Sequence, residues 1–265
     1  MSKNLPNMLE NTMTIFVLLS VCLSILAIQK NKNILFVLSG VSLFLAFLTK
    51  GFTGLFPLIF VIIYDFFFKE HSIGQTVKSF LFVLLGLLIP YFVLDLVSSG
   101  FSEYIMRYFN NQVVGSIENV ATVSSRFFIV WRLVQEILVA LLLLVVVSVI
   151  HKSAKSNFFI SNKKDDDFKW FLVFLFLGLS GVLPIMISMK QSGFYMLTAL
   201  PFFGLALAHL FRKTSESLLQ SVTIIGSTFQ NFNANYAIVN VKSAIVVNST
   251  FMDSSSQYAT AIYTT

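Results

Sequence analysis

Charge is scarce in this chain. Only 11% of its 265 residues are Asp, Glu, Lys or Arg, while 56% are hydrophobic and the mean hydropathy is +0.83. Thirty phenylalanines are far more than a soluble domain of this size needs. A soluble globular class is therefore excluded, and an integral membrane protein is indicated. Cysteine is almost absent. The single Cys22 rules out an internal disulfide and argues against a thiolate metal site. Lying in an apolar run, it reads as a small packed hydrophobe. His71, His151 and His209 are scattered and form no ligand cluster. Met1–Asn11 is polar and lacks a basic cluster, so no cleavable signal peptide is read there. The net charge of +6 would suggest nucleic acid in a soluble protein. Here the basic residues fall in short loops between apolar runs, so they report topology, and no nucleic-acid partner is expected.

What the chain has is long apolar runs. Seven can be read: Met13–Gln29, Ile34–Thr49, Leu55–Phe68, Phe80–Val97 with Pro90 inside it, Phe127–Ile150, Trp170–Met189 and Phe194–Phe211. About 20 apolar residues span a bilayer, so the third run must borrow flanking residues or tilt. The pattern predicts an all-α polytopic membrane protein of about seven transmembrane helices. Its expected parts are an outer juxtamembrane segment at 1–12, a membrane region at 13–213 with an outer loop at 98–126, and a polar tail at 214–265. With the N-terminus outside, the inner loops carry Lys30, Lys32, Lys69, Lys78, Lys152, Lys155, Lys163, Lys164, Lys169, Arg212 and Lys213. The outer segments carry Lys3, Lys50, Arg107, Arg126 and Lys190. That bias predicts an outward-facing N-terminus and puts Lys50, the 98–126 loop and Lys190 on the outer face. In the outer loop, 103–112 reads as an amphipathic helix lying on the membrane. Asp95 reads as interfacial, and Arg132 with Glu136 as a structural ion pair on one helix face. The Lys163–Asp167 charges belong to a solvated loop. From about Ser221 the composition turns to Asn, Ser and Thr, with β-prone runs at 236–241 and 244–251. Asn248-Ser-Thr is a tripeptide that arises easily by chance and is no sign of glycosylation on this topology.

Two stretches stand out. In Leu45-Ala-Phe-Leu-Thr-Lys-Gly-Phe-Thr-Gly-Leu-Phe-Pro57, a lysine sits between apolar runs, with Gly51, Gly54 and Pro57 free to break the helix. One helix is expected to end near Thr49 and another to begin near Gly54. Lys50 is then either an interfacial anchor or an anion ligand. In Met189-Lys-Gln-Ser-Gly-Phe-Tyr-Met-Leu-Thr-Ala-Leu-Pro201, an outer lysine precedes a tyrosine at the head of a helix that Pro201 interrupts. The first stretch resembles the Thr-Lys-Gly segment of the bacterial membrane glycosyltransferases related to dolichyl-phosphate-mannose–protein mannosyltransferase, which include the lipid A aminoarabinose transferase. Phe52 stands where that family often has a proline. The second stretch resembles the family's Lys-x(4)-Tyr-x-Leu-x-x-x-Pro pattern, and the resemblance extends over about Met8–Arg212.

The resemblance implies a GT-C-like architecture in the bacterial cytoplasmic membrane, with its active face outward. It implies transfer of a sugar from a polyprenyl-phosphate carrier to a lipid, glycan or protein acceptor, with membrane lipids as surroundings. Lys50, Lys190 and Tyr195 would hold the donor phosphate, the leaving group. Glu10 matches an acid near the family's helix entry and would face the outer cavity. It also reads as a carboxylate favouring a helix N-terminus. Arg107 and Arg126 are the available substitutes for a basic residue missing near Gly115-Ser116. The family's general base lies in a loop that would precede Met1, so the chain resembles an incomplete member. Some members also hold a divalent metal ion, for which this sequence shows no ligand set. Two other readings stay open: a non-catalytic membrane subunit or fragment that binds the lipid carrier, and a transporter or lipid flippase. A transporter would tend to show broken helices at mid-membrane and paired internal repeats, and no repeat is read in this chain.

Overall fold

The computed structural model describes residues 5–115, 122–152, 166–219 and six short strand segments between 221 and 264, with side chains largely within 9–146 and 166–212. Most of the loop at 151–169 and the Asn248 tripeptide lie outside the described residues. The chain is mostly helical. It divides into two compact units, Met1–Leu141 with Ser161–His209, and Leu142–Ile160 with Leu210–Thr265.

The first unit begins with helix α1, Leu5–Lys30, which starts well before the apolar run and draws the polar entry segment into its first turns. It ends in a two-residue turn. Asn31 takes φ +49, a conformation its short polar side chain tolerates, and the Lys32 N–H returns to the Ala27 carbonyl. Helix α2, Asn33–Lys50, packs back along α1. Three buried serines join the pair: the Ser39 hydroxyl donates to the Ser20 carbonyl at 2.9 Å, and the Ser20 and Ser24 hydroxyls both meet it at 2.8 Å. In an apolar bundle such hydroxyls are satisfied only across the helix contact. Helix α4, Ile73–Val97, starts on a capping box in which Ser72 and Gln75 satisfy each other's backbone N–H groups. Its Gly86 lies against the backbone of Val37 in α2, and Gly40 of α2 lies against the backbone of Val83. Pro90 is accommodated within the helix.

The third run departs from expectation. Instead of a helix starting near Gly54, a 3-10 stretch runs from Gly51 to Ile59, and helix α3 covers only Phe60–Phe68. The 3-10 stretch folds back on α2. A Cβ at Gly54 would lie 3.1 Å from atoms of Ala46, a residue eight positions earlier that a straight helix would place ~12 Å away. Helix α5, Phe101–Tyr108, follows α4 and continues as a wider π turn through Val114. Asp95 holds its start, accepting from the Ser102 N–H at 3.0 Å and from the Ser102 hydroxyl. Helix α6 is Phe128–Lys152 and helix α7 is Asp166–Val182, followed by a 3-10 turn to Ile187. The last run is also corrected. A short 3-10 turn occupies Gly193–Met196, and helix α8 begins at Leu200. Pro201 therefore opens this helix rather than interrupting it, since a proline in the first turn forfeits no intrahelical bond.

One core joins α1 to α4 with α7 and α8, through Val17, Leu43, Phe60, Val83, Phe174 and Phe202. Outside it the helices show apolar side chains. In α4 only Val83 and Gly86 are buried, and Cys22 is exposed on α1 rather than packed. Four stretches are long and apolar enough to cross a membrane: Leu9–Lys30, Asn33–Phe68, Ile73–Val97 and Asp166–Ile187. Because Gly54 folds back on Ala46, the second of these is not one straight rod. Several such helices are compatible with a membrane protein.

In the second unit, the described backbone after α8 forms parallel strand pairs: β1 (Ser221–Ile225) with β4 (Ser243–Val247), β2 (Thr228–Gln230) with β5 (Thr250–Met252), and β3 (Ile238–Val241) with β6 (Ile262–Thr264).

Candidate functional site

The site is built where three helix ends and one turn meet. Helix α1 supplies Glu10 from an early turn. Helix α2 supplies Lys50 as its last residue, a favourable place for a cation because unpaired carbonyls gather there. The 3-10 turn at Gly193–Met196 supplies Phe194 and Tyr195, and α5 ends at Tyr108.

Glu10 is 1% exposed, and its Oε1 meets the Lys50 ammonium, which is itself 24% exposed. The second carboxylate oxygen, Oε2, has no hydrogen-bond partner among the described residues. A buried carboxylate is tolerable only beside such a cation. Two aromatic faces complete the lysine's surroundings. Its Nζ lies 5.0 Å from the centre of the Phe194 ring and 4.7 Å from that of Tyr195. Both distances suit cation–π attraction. The ammonium is thus held between one carboxylate and two rings, and reaches the exterior by its remaining exposed fraction.

The backbone beneath Lys50 is fixed as well. The Tyr108 hydroxyl donates to the Lys50 carbonyl at 3.0 Å, satisfying one of the carbonyls left open at the end of α2. Gly51 then turns the chain with φ +77. A Cβ there would lie 2.5 Å from the Tyr108 hydroxyl, so conformation and space both require glycine. Thr49 bonds back to the Ala46 carbonyl at 2.6 Å, and the Thr53 hydroxyl faces the Met13 sulfur at 3.8 Å.

Both phenols are protonated donors. Burial pushes the Tyr195 hydroxyl above its ordinary value. Burial, then the neighbouring Tyr104 and Tyr195, does the same at Tyr108. A raised folded value means that their contribution to stability is fully present below the unfolded value, about 10, and is lost as pH rises through the folded value. Thermal unfolding followed from about pH 9 to 12 is expected to show a steep alkaline loss of stability. Tyr108→Phe and Tyr195→Phe should each flatten that loss; equal slopes in all three proteins would contradict the assignment.

The turn carrying the aromatic pair is anchored by Gln191, which is buried. Its Oε1 accepts from the Ile129 N–H at 3.0 Å. Its Nε2 donates to the carbonyls of Arg126 at 2.9 Å and Ser188 at 2.8 Å. Its backbone exchanges two bonds with the Thr122 hydroxyl, each 2.9 Å. Every polar atom of the side chain is engaged, so Gln191 positions and does not bind. Arg132 and Glu136 form the expected ion pair at 2.5 Å, with both side chains half-exposed. The structure adds that Arg132 lies over Gly193: a Cβ there would sit 3.4 Å from Arg132 Nε.

Of the residues singled out in the sequence, Glu10, Lys50 and Tyr195 come together. Lys190 lies in the turn just before, partly buried, with its backbone N–H donating to Ser188 Oγ at 2.9 Å. Arg107 and Arg126 expose their side chains, and Arg126 reaches the site only through its carbonyl. Neither guanidinium pairs with a carboxylate among the described residues. Sequence reasoning missed Tyr108, Phe194 and Gln191 as parts of the site. All three stand in segments that drew attention, Tyr108 in 103–112 and Gln191 and Phe194 in Met189–Pro201.

At the other polar cluster, the α3–α4 turn is tied by Asp65. It meets His71 Nδ1 at 2.6 Å and accepts from the Thr76 hydroxyl at 2.7 Å. Tyr64 donates to Glu70 at 2.8 Å, and His209 faces Asp167 at 3.1 Å. These pairs staple helix ends. Among the described residues no group of three His, Cys, Asp or Glu side chains stands close enough to hold a metal. No family model, curated protein or solved structure matches the chain.

Proposed function

We propose that this chain holds a polyprenyl-phosphate-linked sugar at the Glu10–Lys50–Tyr195 cluster and serves transfer of that sugar to a lipid, glycan or protein acceptor. In this reading the chain spans the bacterial cytoplasmic membrane seven times, with its N-terminus and the cluster on the outer face. One observation carries the proposal. Lys50 and Tyr195 belong to two stretches far apart in the chain, each singled out for a phosphate-binding role, and the ammonium lies 4.7 Å from the phenol ring. Two unrelated membrane anchors would have no reason to meet.

The geometry gives each group a task. A phosphate reaching the exposed side of Lys50 gains a charge-assisted hydrogen bond. The protonated Tyr195 hydroxyl is a second donor of the right kind, and Lys190 supplies further positive charge in the adjoining turn. As the sugar–phosphate bond breaks, negative charge grows on the phosphate, and fixed donors stabilise that state more than the bound donor. Glu10 sets the lysine's position before the ligand arrives. Being buried and already paired, Glu10 is poorly placed to take a proton from an acceptor, and this favours a second reading in which the chain binds the carrier without transfer.

The test is transfer of label from a radiolabelled polyprenyl-phosphate sugar in membranes containing the chain, with Lys50→Ala and Tyr195→Phe beside it. Transfer that falls at least about tenfold in both variants, a loss of ~1.4 kcal/mol of transition-state stabilisation, supports the enzyme. Carrier binding that needs Lys50, without transfer, supports the binding reading. Neither binding nor transfer overturns both.

A further inference from the structure

We propose that the cleft between α3 and α4 binds a glycerophospholipid with an anionic headgroup, its phosphate on Lys69 and its acyl chain along the apolar walls. The proposal rests on the membrane-spanning part of the reading above and not on the carrier cluster. The cleft has a volume of about 440 Å³, within the range of small-molecule sites. Its walls follow from helical spacing. Ile62 and Phe66 lie one turn apart on α3, and Ile73, Val77 and Phe80 share one face of α4. Ile73 to Phe80 covers ~10 Å of helix, room for the first methylenes of a chain. Ile62, Phe66, Ile73 and Val77 are all exposed, so no described part of the chain covers them.

The α3–α4 turn puts polar groups at one end of this apolar cleft: Asp65, Lys69, His71 and Thr76. Most of the charge in the turn is already engaged. Asp65 is buried, and its two oxygens meet His71 Nδ1 and the Thr76 hydroxyl. Glu70 accepts from Tyr64. Lys69 is exposed, and its ammonium has no partner among the described residues.

The backbone of Lys69 is also unusual. It takes φ +55 at the end of α3, a left-handed conformation that Gly or Asn holds more readily than a lysine does. A strained position that carries an unengaged ammonium points to an outside anion. The start of α4 adds partial positive charge of the same sign. An apolar cleft ending in one unengaged cation suits an amphiphile, with phosphate on the ammonium and chain on the walls. A soluble anion would leave the walls bare, and a purely apolar ligand would leave Lys69 unused.

The test titrates the full-length chain in detergent with dioleoylphosphatidylglycerol or dioleoylphosphatidylcholine and counts retained lipid by native mass spectrometry. Phosphatidylglycerol is expected to be retained at an about fivefold lower concentration, the worth of one lysine on an anionic headgroup. Lys69→Asn suits the left-handed turn, so it is expected to keep the denaturation midpoint and lose that preference. Val77→Trp, which fills the cleft from an exposed position, is expected to lose retention of phosphatidylglycerol. Lys78→Asn is the control: the Lys78 ammonium lies over Phe82 at 5.9 Å, outside the cleft, and this variant should keep the preference. Equal retention of the two lipids overturns the proposal. So does a preference that survives Lys69→Asn or Val77→Trp, or one that Lys78→Asn abolishes as fully. Displacement of the lipid by glycerol phosphate at equal concentration would mark a site for soluble phosphate esters and also overturns it. Lys69→Asn should leave carrier retention at Lys50 unchanged, so the two sites fail separately. A chain released from membranes without detergent would instead remove the membrane reading beneath both.

Discussion

Replacing Lys50 with methionine is expected to destabilise the protein far more than replacing Glu10, and replacing both is expected to restore most of the loss. The reason is the asymmetry of burial. Glu10 is 1% exposed, and among the described residues the only cation placed against it is Lys50. Lys50→Met leaves that carboxylate buried without a counter-ion, which costs about 3–5 kcal/mol. Glu10→Met leaves an ammonium that is still 24% exposed and still faces Phe194 and Tyr195. Water and the two rings retain much of what it loses, so the cost is about 1–2 kcal/mol. The double variant has no buried charge at this site and roughly the original volume, and should return to within about 1 kcal/mol of the parent. Denaturation midpoints of the four proteins in one detergent close the cycle. Simple additivity of the two single losses would show that the pair is not coupled. The double variant has a second use. If the proposed carrier site is real, this variant should be folded and yet fail to retain the lipid carrier, which separates the proposed binding role of Lys50 from its structural one.

The sequence made the members of this site visible but not their arrangement. Lys50 is conspicuous because an ammonium in an apolar context needs a reason, and charge counting along the loops predicts the same side for it and Lys190. Glu10 drew attention for a different reason, as an acid at the entry to the first helix that matches the family's pattern. That Glu10 partners Lys50 is a tertiary fact, fixed by how α1 and α2 cross, and the two lie forty residues apart. Gln191 stands in the second conspicuous stretch, but its residue type signalled no role. A glutamine in a turn is ordinary until its amide is seen joining Arg126, Ser188 and Ile129.

Element boundaries were legible where one residue type allows one outcome. The start of α4 shows the converse: the apolar run begins at Phe80, but the capping box of Ser72 with Gln75 starts the helix at Ile73. Pro201 permitted two outcomes, since proline both breaks a helix and opens one, and the glycine and short 3-10 turn before it decided for opening. The fold-back at Gly51–Ile59 was half legible. Gly51 and Pro57 announce a break, but the length of the 3-10 stretch depends on Gly54 fitting against Ala46.

The contact between α2 and α4 leads to the second large effect. Gly40→Val and Gly86→Val are each expected to lose about 3 kcal/mol or more, enough to leave little folded protein. At both positions the added Cβ would overlap a backbone carbonyl, that of Val83 for Gly40 and that of Val37 for Gly86. A side-chain neighbour could change rotamer, but a helix backbone cannot, so the two helices must separate. Separation would also withdraw Val83 from the core that it shares with Leu43. The close approach is the usual means by which helices associate in an apolar solvent, where there is no hydrophobic drive between them. Gly74 is the control. It lies near the start of the same helix and a Cβ there meets nothing within 4 Å. Gly74→Val should therefore cost no more than about 0.5 kcal/mol. Folded yield and denaturation midpoint in detergent measure all three. If Gly86→Val behaved like Gly74→Val, α2 and α4 would not pack through these glycines. Lys50 sits at the end of α2, so the same shift is expected to disturb its meeting with Tyr195.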